Sequence, residues 1–251
     1  MKKSKIVIGA LALRPRIKPR TSSTGTIMVR LFLIIVVSFD VRDQGKCTAS
    51  YAFAAANAIE GGRWISTGKK DVLSVQQIID CSTTFGNNGC TSGSPINSFS
   101  YILNNGITSE AKYKYTATKG ECRYSIVDKV WEVVKCSKVT PNDDKALESA
   151  VLATPTTVMI DGSEKEFQSY KSGLFNPSKC STTNPNAALV IIGFGSVESG
   201  FPIKKKHYFW KAKNSFGIGW GSKGYIEIER NYGKTGSGVC GVNTLGSFPV
   251  A

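Results

Sequence analysis

The sequence predicts an α+β protein in which a helical first half is followed by a β-rich second half. The chain has 251 residues, enough for one large domain or for two lobes of ordinary size. Hydrophobic residues make up 41% and charged residues 20% of the chain, a composition typical of globular proteins. Helix signals dominate the chain up to about residue 150, and short β-branched or aromatic runs dominate after it.

Four segments before about residue 153 carry helix signals. From Ser50 to about Ile65, small and apolar residues occupy almost every face, as in a buried helix. Residues 71–82 are predicted to form a second helix with Ser74 as its N-cap. The stretch INSFSYILNNG ends in Asn-Asn-Gly, which is a helix stop signal. The stretch PNDDKALESAVLA places acidic residues in its first turn, where they oppose the helix dipole.

The second half contains runs that alternate with turn residues. TTVMID, AALVIIGFG, HYFWKAK and GYIEIER are each bounded by Gly, Pro or Asn clusters, which predicts strands. The change of pattern divides the chain into a basic arm at 1–40, a helical lobe at 41–137 and a β-rich lobe at 138–251.

The N-terminal arm carries most of the positive charge. Eight Lys or Arg and no acidic residue lie in residues 1–30, against a net charge of +14 for the whole chain. The apolar run from Leu31 to Val37 is too short for a transmembrane helix, which needs about 20 residues. It fits the core of a secretory signal, with Met28 as a start and Ser38 before the cleavage point. An incorrect gene start, or attachment to an anionic membrane surface, explains the same residues.

Several classes of partner are excluded by composition. The chain has no basic patch with stacking aromatics, so a nucleic-acid partner is not expected. Its seven cysteines form no CxxC pair and it has one histidine, so neither a metal nor another cofactor is expected. Six cysteines in disulfides and one left over would suit an oxidising compartment, although spacing alone leaves the pairing open.

Six stretches, in order, resemble papain-family cysteine proteases, with plant members the most similar. They are QGKCTASYAF, LSVQQIIDC, NNGCTSG, NAALVIIGFG, KNSFGIGWGSKGYIEIER and SGVCGVNTLGSFPV. From Val41 onwards the resemblance implies one papain-like domain with a helical left lobe and an antiparallel β-barrel-like right lobe. It also implies a monomer that binds a peptide, a substrate-like protein or a protease inhibitor. The implied location is secreted, vacuolar or lysosomal.

The resemblance places four catalytic positions in this chain. Gln44 matches the side-chain donor of the oxyanion hole, and Asn214 matches the residue that orients the catalytic histidine. Ser50 stands where the family has its nucleophilic cysteine, and Ala187 stands where it has the general-base histidine. Two positions therefore agree with the family pattern and two depart from it.

The resemblance also implies a substrate cleft and a disulfide pattern. Thr48 stands where the family has a glycine, Ser92 replaces the first glycine of a substrate-binding pair, Tyr51 replaces a tryptophan, and so does Phe216. The implied cleft residues are Ser92, Gly93, Met159, Asn186, Phe216 and Trp220. The implied disulfides are Cys47–Cys90, Cys81–Cys122 and Cys180–Cys240, with Cys136 as the free thiol.

The chemistry of these departures predicts an inactive site. A helix N-terminus and an imidazolium lower the pKa of a cysteine enough to form a thiolate, whereas a serine hydroxyl stays neutral and needs a base. Ala187 offers a methyl group at the base position. The single histidine, His207, lies seven residues before Asn214 in a predicted strand, roughly 23 Å away.

Three functional hypotheses follow. The first is an inactive papain-like homologue that binds a peptide or protein in its cleft. The second is a weak peptide hydrolase that uses Ser50. The third is a decayed gene product, because neither the family's pro-segment nor its mature N-terminal stretch is recognisable before the VRDQG motif.

Overall fold

The computed structural model describes residues 29–34, 40–199, 203 and 205–250, with only the backbone described for 29–34. Within these residues, the helices lie mostly in the first half and the strands mostly in the second, as predicted. Met28 and Ser38, which the signal prediction uses, lie outside the described residues. No helix of the described part is both long and apolar enough to cross a membrane.

The four predicted helices are present. The side chain of Ser74 caps the second one, because its Oγ accepts the Gln77 N–H at 3.0 Å. That helix begins later than predicted, since Leu73 forms an isolated β-bridge with Ser109. The helices are α1 (Ser50–Thr67), α2 (Val75–Cys81), α3 (Pro95–Asn105), α4 (Asp144–Ala153) and the short α5 (Lys165–Gln168), which was not predicted.

The strands form one sheet that is antiparallel apart from the β4–β7 pair. The strands are β1 (Val29–Ile34), β2 (Lys135–Lys138), β3 (Thr156–Ile160), β4 (Leu174–Phe175), β5 (Ala187–Ser199), β6 (Lys205–Lys213), β7 (Tyr225–Arg230) and β8 (Ser247–Val250). Their order is β2-β8-β3-β5-β6-β7-β4, and β1 pairs with β5 beyond this path. Part of the predicted signal segment is therefore a strand of this sheet, and its cleavage stays a prediction.

Two hydrophobic clusters form the cores of the lobes. The helical-lobe cluster surrounds α1 and also includes Ala188 and Val190 of β5. The second cluster lies among β3, β5, β6 and β7 and includes Trp210, which is fully buried. α1 packs against β5, and the hydrogen bond between Ser50 and Ala188 shows that the starts of these two elements meet.

Candidate active site

A cleft of about 430 Å³ lies where the start of α1 meets the start of β5. Ser50 is the first residue of α1 and Ala187 is the first residue of β5, so the fold brings these distant positions together. The cleft is lined by Asp43, Gln44, Gly45, Thr48, Ser50, Gly162, Gln168, Asn186, Ala187 and Phe216.

The Ser50 hydroxyl faces a backbone amide. Its Oγ accepts a hydrogen bond from the Ala188 N–H at 3.0 Å, and no described group accepts its proton. The side chain of the neighbouring Ala187 is a methyl group. It packs closely against Gly162, since a Cβ built on Gly162 would lie 2.7 Å from the Ala187 Cβ. Ser50 therefore has no proton acceptor among the described residues.

Gln44 and Asn214 both bond to Ser215. The Oε1 of Gln44 accepts from the Ser215 hydroxyl at 2.6 Å, which leaves its Nε2 donor for a ligand. The Oδ1 of Asn214 accepts the Ser215 N–H at 2.8 Å. Asn214 is 2% exposed, and its buried Nδ2 has no hydrogen-bond partner among the described residues.

His207 lies away from the cleft. It is near the start of β6, and its Nδ1 is 3.0 Å from the Glu229 carboxylate of β7. It lies six positions before Lys213 at the other end of the strand, a span of roughly 20 Å. Because the chain has one histidine, no imidazole can reach Ser50.

The rim of the cleft is held by contacts between residues 48–51, around the start of α1, and the 89–93 loop. Thr48 Oγ1 donates to the Cys90 carbonyl, and Tyr51 Oη donates to the Gly89 carbonyl at 2.7 Å. A Cβ at Gly93 would lie 2.7 Å from the Tyr51 ring, so only glycine fits there. Ser92 is exposed, and neither Ser92 nor Gly93 belongs to the residues that line the cleft itself.

A carboxylate that the sequence reasoning missed positions Asn186. Asn186 donates to Asp161 Oδ1 at 3.0 Å and accepts the Gly162 N–H at 2.9 Å. Burial raises the pKa of Asp161, but hydrogen bonds from Ser163, the Ser181 amide and Asn186 outweigh it and lower this pKa to about 2. Asp161 therefore stays ionised and holds Asn186 in place over a wide pH range.

Four lining residues, Asp43, Gly45, Gly162 and Gln168, were not predicted. Gln168 Nε2 donates to the Gly162 carbonyl and ties α5 to the chain that follows β3. An Asp-Gly pair directly after the strand run TTVMI was the one signal in the sequence that marked this turn.

The remaining predicted cleft residues are placed differently. Phe216 lines the cleft and makes an edge contact with Trp220, with ring centroids 5.6 Å apart. Trp220 is buried behind it and donates from Nε1 to the Phe167 carbonyl at 2.9 Å. Met159 is half-buried on β3 and packs against the helical-lobe core, and its place in the substrate cleft stays a prediction.

Buried charges join the lobes beside Asn214. Lys213 Nζ donates to Asn57 Oδ1 of α1 at 3.0 Å, and burial lowers its pKa to about 8. Burial also raises the pKa of Glu60, although Arg42 lies 2.9 Å from this carboxylate and opposes the rise. These contacts fix β6, and hence Asn214, against α1.

Comparison with known proteins gives the family. A family model described as papain family cysteine protease matches residues 36–250. The chain belongs to this family. It is 36% identical to mouse cathepsin J over 210 residues, covering 83% of the chain and 61% of cathepsin J, so it spans about three fifths of that relative. It is 38% identical to zingipain-1 of Zingiber officinale over 211 residues, covering 84% of the chain and 90% of zingipain-1.

Solved structures confirm the predicted fold class. The Carica candamarcensis cysteine protease CMS1MS2, solved in complex with E-64, superposes with a TM-score of 0.74 at 30% identity. The match covers 84% of this chain and 92% of that one. The papain-like, two-lobed α+β fold predicted from the sequence is thus correct.

Three disulfides join the cysteines of this papain-family chain in the pairs that the resemblance implied. They are Cys47–Cys90, Cys81–Cys122 and Cys180–Cys240. The first lies three residues before Ser50 and links the approach to α1 with the rim loop. Cys136 of β2 is a free, half-buried thiol.

Proposed function

We propose that this papain-family chain is a catalytically inactive homologue that binds a peptide or protein segment in its cleft without cutting it. The observation that carries the proposal is the surroundings of the Ser50 hydroxyl, which accepts an amide N–H and has no base to take its proton. A serine nucleophile needs a base as it attacks. On this proposal, Ser50 and Ala187 occupy the positions of the nucleophile and the base.

The electrostatics of α1 do not rescue Ser50. A helix N-terminus stabilises a thiolate because the thiol already ionises near pH 8.5, about the ordinary cysteine value. A hydroxyl is far less acidic, so the same field leaves it neutral. The unpartnered Nδ2 of Asn214 supports the proposal, since an orienting side chain lacks the ring it would orient.

Several groups around the cleft support retained binding. Ser215 uses only the Oε1 of Gln44, so its Nε2 can donate a hydrogen bond to a peptide backbone. The Gly93 backbone forms no hydrogen bond with the described residues, so it can also hydrogen-bond to a peptide. A volume of about 430 Å³ lies in the usual range of ligand sites. The solved complex of CMS1MS2 with E-64 supports ligand binding in this family. The three disulfides favour an oxidising location, which would be secreted, vacuolar or lysosomal.

Binding without cleavage is tested with a library of random octapeptides. The immobilised chain is expected to enrich a subset, and mass spectrometry of the eluted peptides is expected to show full length. Gln44→Ala removes a ligand donor and should weaken the Kd of an enriched peptide about tenfold, the effect of one hydrogen bond.

The matched control is Asn104→Ala on the exposed face of α3, which should leave the Kd unchanged. Failure to enrich any octapeptide, or a Kd that Gln44→Ala does not change, would contradict binding in this cleft.

A further inference from the structure

A second cavity, of about 400 Å³, lies on the helical lobe and shares no residue with the cleft. It is formed by the segment 108–116 together with residues 123, 124 and 128. The proposed peptide binding does not use it.

Positive charge dominates the lining of this cavity. Three cationic side chains, Lys112, Lys114 and Arg123, face one carboxylate, that of Asp128. Lys112 Nζ lies 2.6 Å from Asp128 Oδ1, so these two charges offset each other. Lys114 and Arg123 form no ion pair with any described residue. The cavity therefore has two cationic groups available for an anion.

A buried hydroxyl in the lining also lacks a partner. Thr108 is 1% exposed, and its Oγ1 forms no hydrogen bond within the described part of the chain. Its backbone is fixed on both sides, because its N–H donates to Gln77 Oε1 at 2.8 Å and its carbonyl accepts from the Ser74 N–H at 2.9 Å. A buried, unsatisfied hydroxyl is unfavourable, and an acceptor on a ligand would satisfy it.

Two tyrosines make the cavity rigid. Tyr113 Oη lies 2.8 Å from Asp80 Oδ2 and accepts the Arg123 N–H at 3.1 Å. Tyr124 Oη donates to the Asn105 carbonyl at 2.8 Å. The Cys81–Cys122 disulfide ties the residue that precedes Arg123 to the last residue of α2. The rings are held in place before any ligand arrives, as in most small-molecule sites.

We propose that this cavity binds a small organic phosphate or sulfate ester. Both esters carry an acceptor-only anionic group, which suits the guanidinium fork of Arg123 and the ammonium group of Lys114. The volume exceeds that of a free inorganic anion and leaves room for a ring against the half-buried Tyr124. One ligand oxygen accepts the Thr108 hydroxyl proton.

The test is titration of the whole chain with phenyl phosphate and, separately, with phenyl sulfate at pH 7 and physiological salt. Saturable binding of at least one probe is expected, and the preferred probe identifies the anion. The double variant Lys114→Gln with Arg123→Gln should weaken the Kd at least about tenfold, since it removes two charged hydrogen-bond donors. Lys69→Gln, at an exposed lysine outside the cavity, should leave it unchanged.

Thr108→Val separates a ligand contact from a structural role. It preserves the side-chain shape, so Tm should be unchanged or higher while the Kd weakens several-fold. Absence of saturable binding by both probes would overturn the proposal. Equal weakening by Lys69→Gln would also overturn it, because binding would then reflect general charge. If Thr108→Val lowers Tm but leaves the Kd unchanged, the proposed contact between the Thr108 hydroxyl and the ligand is wrong.

Discussion

Ser50→Cys combined with Ala187→His is expected to convert the chain, which we propose to be inactive, into a peptidase whose rate exceeds that of the wild type at least about a thousandfold. A cysteine at the first residue of α1 would lie at the positive end of the helix dipole. An imidazole at the start of β5 would stabilise the thiolate, and Asn214 would gain the ring that it lacks. Removing the members of a catalytic unit costs rate factors of this size or larger.

The single variants are the matched controls for the double one. Because the two groups act as a unit, Ser50→Cys alone and Ala187→His alone should each recover only a small part of the activity. Rates come from cleavage of a quenched fluorescent peptide mixture. A folded double variant with no activity would contradict the geometry assigned to the cleft, with thermal unfolding used to establish that it is folded.

Asp144→Ala is expected to destabilise the fold by about 3–5 kcal/mol, the usual cost of removing one partner of a buried ion pair. Arg230 donates to both carboxylate oxygens of Asp144 at 2.7 Å, and both side chains are 1% exposed. The guanidinium also lies 4.0 Å from the centroid of the Trp210 ring. Without Asp144, this buried charge would keep only the partly exposed Glu148 as an anionic partner among the described residues.

Urea unfolding under oxidising conditions measures this effect. Glu132→Ala is the matched control, because the Lys129–Glu132 pair is exposed and such pairs contribute about 0–1 kcal/mol. A loss below about 1 kcal/mol in Asp144→Ala would contradict the importance assigned to the buried pair.

Elements with strong local signals could be predicted from the sequence. Ser74 supplies a side-chain cap, and Gly106 follows the last helical residue of α3, so these helix ends are encoded locally. β1, β2, β4 and β8 were not predicted as strands. β4 has two residues, too few to show a period, and β8 contains Pro249, which argues against a strand. Both are strands because they pair with distant strands of the sheet, β4 with β7 and β8 with β2 and β3.

The site could be predicted only where a motif or a family pattern marked it. Ser50 and Ala187 are far apart in the chain, and only the family resemblance predicted that they share a site. The structure shows both in one cleft. The Asp161-Gly162 pair marked only a turn, and Gln168 follows no motif and reaches the cleft from the end of α5. Thr108 of the second cavity could not be found from sequence, because an unsatisfied hydroxyl is a property of packing.

Cleavage of a mixed peptide substrate by the wild-type chain, beside Ser50→Ala, is the direct test of whether the cleft is inactive. At pH 5 and at pH 7, the two proteins are expected to release product at the same rate as buffer alone. Cleavage by the wild type that Ser50→Ala abolishes would contradict this expectation and would require a base for Ser50 that the described residues do not contain.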